Sequence, residues 1–226
     1  SIALVFLWKY RDIEYTTVAN VGKNWGISRL GSSGPLFNTM LSIPPSWLEF
    51  EELSRNRPEP NYRNYDILWS QLFRESKIIE IGSNDGTFLR NFKTSGYEHL
   101  GIEPSKNVAN YSKKINKVKV KNEFFNEKNF IKLKKFKKKT DLICAANVIS
   151  HIPNLNDLIR GLDFLISKKG VFVFEEPYLG SMFKRTSYDQ IYDAHIFIFS
   201  IHSVEQIFLK FGFELIDAIP QKTHGG

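Results

Sequence analysis

Cysteine is nearly absent from the 226-residue chain. Cys144 stands alone, which excludes a disulfide framework and any cysteine-rich zinc module. Long apolar runs are missing too: no stretch of 18 apolar residues exists, so no helix is expected to span a bilayer. The opening Ile2–Trp8 run is short and has no charged segment ahead of it, a poor match to a secretory leader. A reducing cytoplasm is the expected compartment, with no membrane partner. There is no internal repeat, no G-x-G-x-x-G dinucleotide fingerprint, and no side-chain spacing that suggests a metal. What the chain does have is apolar material, 42% hydrophobic and 14% aromatic. That excludes a wholly disordered chain. At about 100–200 residues per domain, the length allows one domain, or one with a small appendage.

The formal charge of +7 is concentrated in one place. Residues 106–139 hold thirteen lysines against Glu123 and Glu127, a net of +11, which leaves −4 for the rest. A uniform nucleic-acid-binding surface is therefore not implied, and no arginine or aromatic ladder accompanies the lysines. A solvated helix face whose Ile131, Leu133 and Phe136 point inward is the expectation, with no nucleic-acid partner.

Residues 1–64 read as an irregular or partly helical lead-in, broken by Gly31–Pro35, Pro44-Pro45, Pro58 and Pro60. From 65 to 226 the pattern changes to strands alternating with helices. Strands are expected at Lys77–Gly82, His99–Pro104, Val118–Val120, Asp141–Val148, Gly170–Pro177 and Phe213–Ile219. Helices are expected from Gly86 to Lys93, from Asn107 to Ile115, from an Asn154 or Asn156 cap to Leu165, and from a Ser203 cap to Phe211, with a mixed Phe124–Phe136 segment. The Phe-rich His195–Ser200 stretch suits strand or packing. This alternation predicts an α/β domain with a mostly parallel twisted sheet flanked by helices. Its ligand crevice should lie beyond the carboxyl ends of the strands.

The first of these strands runs into Glu80-Ile81-Gly82-Ser83-Asn84-Asp85-Gly86, and Glu103 ends the next, 21 residues after Gly82. Glycines let the backbone turn sharply and approach a ligand, and an acid at that second place accepts hydrogen bonds from ribose hydroxyls. The acids Glu80 and Asp85 would repel pyrophosphate but suit the cationic sulfonium and amino group of S-adenosylmethionine. That cofactor is expected.

Four segments carry a family resemblance: Glu80–Thr87 (EIGSNDGT), Gly101–Ser105 (GIEPS), Ala145–Pro153 (AANVISHIP) and Phe172–Gly180 (FVFEEPYLG). With Tyr188–His195 (YDQIYDAH) and the closing His224-Gly225-Gly226, the chain resembles the Rossmann-like class I methyltransferases that methylate carbon of nucleotide-linked deoxysugars. The resemblance covers roughly residues 65–226. It implies methyl transfer to C-3 of a 4-keto-deoxysugar on a nucleoside diphosphate. Glu80, Gly82, Asn84, Gly86, Glu103 and Asn147 would line the cofactor site, and Tyr192 and His195 would face the sugar; by their own positions, after the fifth strand, after the fourth and in the closing motif, Tyr178, His151 and His224 are expected to contact substrate. The family often carries an amino-terminal zinc module, which nothing here can form. Its members continue past H-G-G with a strand and a further lobe, so a chain truncated at its carboxyl end is expected. They also have Glu where this chain has Ala194, and an upstream catalytic Tyr that cannot be assigned among Tyr10, Tyr15, Tyr62 and Tyr65.

Carbon becomes nucleophilic only when a proton leaves, and a neighbouring ketone permits this by forming an enolate. Imidazole titrates near neutral pH, so His195 suits the base role, with Asp193 as one group that would orient it. Tyr192 suits donation to the enolate oxygen. Cys144, among apolar strand neighbours, reads as an inert core thiol. Methyl transfer to oxygen or nitrogen of a small molecule, and a cofactor-binding remnant impaired by Ala194, remain alternatives.

Overall fold

A computed structural model describes residues 2–8, 76–94 and 96–220. Its elements, in chain order, begin with β1 (Ile2–Trp8), β2 (Lys77–Ile81), α1 (Thr87–Thr94), β3 (Glu98–Ile102), α2 (Lys106–Tyr111), β4 (Val120–Lys121) and α3 (Glu127–Phe130). They continue with β5 (Thr140–Ala146), α4 (Leu155–Leu165), β6 (Ile166–Glu176), α5 (Leu179–Arg185), α6 (Ile201–Leu209) and β7 (Phe213–Pro220). Among the described residues the strands form one seven-stranded sheet in the order β4-β3-β2-β5-β6-β1-β7. The run from β4 to β6 is parallel, and β1 pairs antiparallel with both β6 and β7.

The central strands are largely apolar because both faces of the sheet are covered. Side chains alternate between the faces with a period of two. Ile79, Ile81, Ile143, Ala145, Phe172 and Phe174 enter one core, under Leu158, Ile159 and Leu162 of α4 and Val204 and Phe208 of α6. Ile78, Leu142, Cys144, Val171 and Val173 enter the other, under Phe88 and Leu89 of α1 and Ala109 of α2. The Phe172, Phe174 and Phe208 rings stack with centroids 5.3–5.9 Å apart, and Phe213 meets Phe208 edge-on at 5.8 Å. Cys144 is a buried free thiol, and burial pushes its pKa up, as expected of a core cysteine.

Four expectations are corrected. The lead-in begins with a strand: Ile2 to Leu7 pair with Glu176 to Val171, in the middle of the sheet's antiparallel end. The rest of that lead-in, residues 9–64, lies outside the described residues. The lysine-rich segment is not one helix. It passes through α2, a π-helical turn (Ser112–Asn116), β4, α3 and a 3-10 turn (Lys134–Phe136); Leu133 and Phe136 are buried, but Ile131 is exposed. Third, α6 starts three residues early, because Ser200 rather than Ser203 is its cap. The Ser200 hydroxyl accepts from the Ser203 amide while Ser203 reaches back to the Ser200 amide. Finally, α5 follows Pro177 where no helix was read. Asn154 does cap α4, its Oδ1 accepting from the Asp157 amide at 3.0 Å.

Strand order reverses beside β2: the chain moves outward to β3 and β4, then returns to β5 on the other side. A crevice opens at such a switch point, beyond the carboxyl ends of β2 and β5. No helix among the described residues is long and apolar enough to cross a membrane.

Candidate active site

At the end of β2 the chain turns back on itself through Gly82, whose φ is +69° and whose amide donates to the Ile102 carbonyl at 2.8 Å. A methyl group at Gly82 would sit 2.3 Å from Val148 Cγ2, so the turn and the loop after β5 touch with no room for a side chain. Asn84 also has positive φ (+47°), and its amide donates to Glu103 Oε2 at 3.0 Å. Glu103 Oε1 accepts from the Ser105 amide at 2.8 Å. The carboxylate after β3 thus holds the turn after β2, and each of its oxygens keeps a further lone pair. Asp85 accepts from the Thr87 amide and hydroxyl, both at 2.9 Å, and so starts α1. Gly86 (φ +80°) serves a different contact: a Cβ there would meet Ser112 Oγ at 2.3 Å.

Glu80 lies behind this turn and is 2% exposed, and its Oε2 has no partner. Burial raises its pKa well above the ordinary carboxylate value, and the charges of Asp85 and Glu103 add to the rise. Across the crevice, Asn147 (φ +52°) donates its amide to the Glu175 carbonyl at 2.8 Å, while its buried side-chain Oδ1 has no partner. The turn and these loops enclose a cavity of about 680 Å³. Gly82, Asn84, Glu103, Asn147 and His151 are in its wall; Glu80 and Gly86 are not, standing one layer behind. Phe124, Phe125 and Asp157 also line it. Sequence reading missed these three, although Phe124 and Phe125 closely follow β4, where a crevice residue belongs.

Beyond the cavity wall, a 3-10 turn (Ile149–His151) brings His151 against the irregular segment between α5 and α6. His151 Nδ1 lies 2.6 Å from the Ala194 carbonyl, and its ring centroid is 4.9 Å from that of His195. His195 Nδ1 lies 2.7 Å from the Gln190 carbonyl, and its Nε2 lies 2.9 Å from the Tyr192 hydroxyl. A ring nitrogen facing a carbonyl must carry the proton. Both rings are thereby fixed with Nδ1 as donor, and the Tyr192 O–H donates to the Nε2 lone pair of His195. The group orienting His195 is the Gln190 carbonyl, not the exposed Asp193. Tyr178 packs half-buried against the main core and is outside the cavity wall. Of the expected packing in His195–Ser200, Phe199 is buried and Phe197 packs on the core. His224 lies outside the described residues.

A parallel sheet with this strand order, a glycine turn after its first parallel strand and an acid after the second is the class I methyltransferase fold. The chain belongs to the methyltransferase domain family, whose model its residues 52–218 match, and its cofactor is S-adenosylmethionine. It is 26% identical over 149 residues to C-methyltransferase NovU of Streptomyces niveus, covering 66% of this chain and 35% of that protein. The chain therefore spans about a third of the length of that relative. In fold it is similar to a SAM dependent methyltransferase from Archaeoglobus fulgidus (17% identity, 73% of this chain and 72% of that one, TM-score 0.50). It is likewise similar to YcgJ of Bacillus subtilis (13% identity, 66% and 68% covered, TM-score 0.50).

The residues present fit the cofactor. The unpartnered Oδ1 of Asn147, in the cavity wall, suits a ligand with ammonium donors, and the Glu103 carboxyl in the same wall suits ribose hydroxyls. The Gly82 turn leaves room for a ligand against main chain.

Proposed function

We propose that this chain transfers a methyl group to C-3 of a 4-keto-deoxysugar carried on a nucleoside diphosphate. The observation that carries the proposal is the group Tyr192, His195 and His151, gathered beside the cofactor cavity with both imidazoles held in one tautomer. The name of the Streptomyces relative supports carbon as the acceptor. Gly82, Asn84, Glu103 and Asn147 hold the cofactor, with Glu80 and Gly86 shaping the turn from behind, and Phe124 and Phe125 offer apolar faces to its adenine. Bound S-adenosylmethionine supplies an electrophilic methyl on a cationic sulfur. His195 Nε2 takes the C-3 proton of the sugar, and the electron pair left behind delocalises onto the ketone oxygen. Tyr192, half exposed, exchanges its hydrogen bond to Nε2 for one to that oxygen. A preorganised donor of this kind contributes about 2.7–4 kcal/mol where it has been removed from other enzymes. His151, in the cavity wall, positions the sugar.

The test is a reaction in deuterium oxide with S-adenosylmethionine and a panel of nucleoside-diphosphate 4-keto-deoxysugars. The C-3 hydrogen should wash out and the product gain one methyl on carbon. Loss of the proton is expected to slow by about 10²–10⁴-fold in His195→Asn, while cofactor affinity stays within threefold. Methylation without C-3 exchange would establish an oxygen or nitrogen acceptor, and equal turnover in His195→Asn would remove His195 as the base.

A further inference from the structure

We infer that Glu176, the last residue of β6, is a positioning residue for both imidazoles, an assignment that rests on the methylation chemistry proposed above. Its side chain is fully buried. One oxygen, Oε1, accepts from three successive backbone amides, those of Val148 (2.8 Å), Ile149 (2.5 Å) and Ser150 (3.2 Å). These amides open the 3-10 turn that ends at His151, and the first amides of a helical turn have no partner inside it. A carboxyl 26–28 residues further along the chain supplies that partner. The turn has no other reason in its own sequence to sit where it does: it carries no side-chain cap.

The clamp reaches further than one turn. The Ser150 carbonyl accepts from the amides of Ile196 (2.9 Å) and Phe197 (3.3 Å), and His151 Nδ1 donates to the Ala194 carbonyl. These three bonds fall on either side of His195. A single buried oxygen therefore fixes His151 directly and His195 through residues 194–197. Val148, held by the same oxygen, is the residue that abuts Gly82, so the clamp also joins the cofactor turn to the acceptor side.

Burial raises the Glu176 pKa, against the pull of the Ser150 hydroxyl and the three amides, and Oε2 has no partner. The useful feature is therefore an acceptor oxygen at the right reach rather than a charge. A carboxamide should replace it, and a shorter side chain should not.

The test uses the full 226-residue chain with ¹⁵N-labelled histidine, long-range proton–nitrogen spectra, and single-histidine replacements to assign the five rings. Wild type and Glu176→Gln are expected to show the Nδ1–H tautomer at His151 and His195. Glu176→Ala and Glu176→Asp are expected to lose it at both while far-UV circular dichroism stays unchanged. In the methylation assay the same two variants should lose at least tenfold in kcat with KM changed less than threefold. Retention of both tautomers in a folded Ala or Asp variant overturns the inference, as does their loss in Glu176→Gln. If neither shortened variant folds, Glu176→Gln decides alone in the same way. Should the wild type methylate no keto-sugar, the proposed acceptor fails, yet the spectra still decide whether Glu176 sets the rings.

Discussion

Replacing Gly82 by alanine separates two effects that usually arrive together. The first is conformational: at φ +69° an L-residue costs about 1–2 kcal/mol relative to glycine. The second is steric, because the new Cβ would lie 2.3 Å from Val148 Cγ2 and 3.2 Å from Cγ1. Forced overpacking of that kind costs about 1–3 kcal/mol. Gly96 supplies the control. Its φ is +85°, and a Cβ there meets nothing within 4 Å, so Gly96→Ala carries the conformational cost alone. The difference between the two variants is then the clash. If the protein relieves it by moving the Val148 loop, Asn147 moves with it, and the loss appears in cofactor affinity. At about 1.4 kcal/mol per tenfold, a 1–3 kcal/mol clash weakens binding by about five- to 150-fold. Isothermal titration with S-adenosylmethionine and a thermal melt read the two quantities on each variant. Adding Val148→Ala to Gly82→Ala should recover most of the affinity. The reasoning fails if Gly82→Ala binds the cofactor as tightly as Gly96→Ala, or if the second substitution restores nothing.

Two other perturbations probe the electrostatics and the core. Glu80 has a raised pKa in the folded chain. Its burial is harmless at low pH, where it is protonated folded and unfolded alike, and stability is lost as pH rises from the unfolded value toward the folded one. A cationic cofactor favours the ionised form, so the affinity for S-adenosylmethionine should rise as pH climbs from the ordinary carboxylate range toward the raised value of Glu80, by at most about tenfold per unit. Glu80→Gln should flatten that slope and raise the melting temperature at neutral pH; titrations with unchanged slope would remove Glu80 from the cofactor's field. In the core, Phe208→Ala removes a ring that meets Phe172, Phe174 and Phe213, and urea unfolding should show a loss of about 3–5 kcal/mol. A loss below about 1 kcal/mol would mean that α6 contributes little to holding the sheet's end.

The sheet was legible where its signals were local. Lys77–Gly82 and His99–Pro104 are short apolar strands closed by glycine or proline, and they fold as read to within a residue or two. β1 was not legible, because its place depends on two distant partners: Ile2 pairs with Glu176 on one side and Pro220 on the other. Nothing near Ile2–Trp8 in sequence announces either. The lysine-rich stretch misled for the opposite reason. Its charge implied one solvated helix face, whereas Asn126 caps a single turn at Glu127–Phe130, and positive φ at Lys117 and Lys138 breaks the backbone elsewhere. Burial of Leu133 and Phe136 is then achieved by a 3-10 turn rather than by helical spacing.

The two halves of the site differ in the same physical way. On the cofactor side, backbone conformation carries most of the work, and glycines announce backbone conformation. Gly82 and the acid at 103 could therefore be placed from spacing alone. On the acceptor side, main-chain carbonyls hold the rings, and a carbonyl is the same in every residue. Gln190 and Ala194 orient His195 and His151 through atoms their side chains do not encode, which is why the sequence pointed instead to Asp193. The same fact changes the meaning of Ala194. The bond from His151 survives any substitution there that leaves the main chain in place, so the alanine leaves the ring's anchor intact.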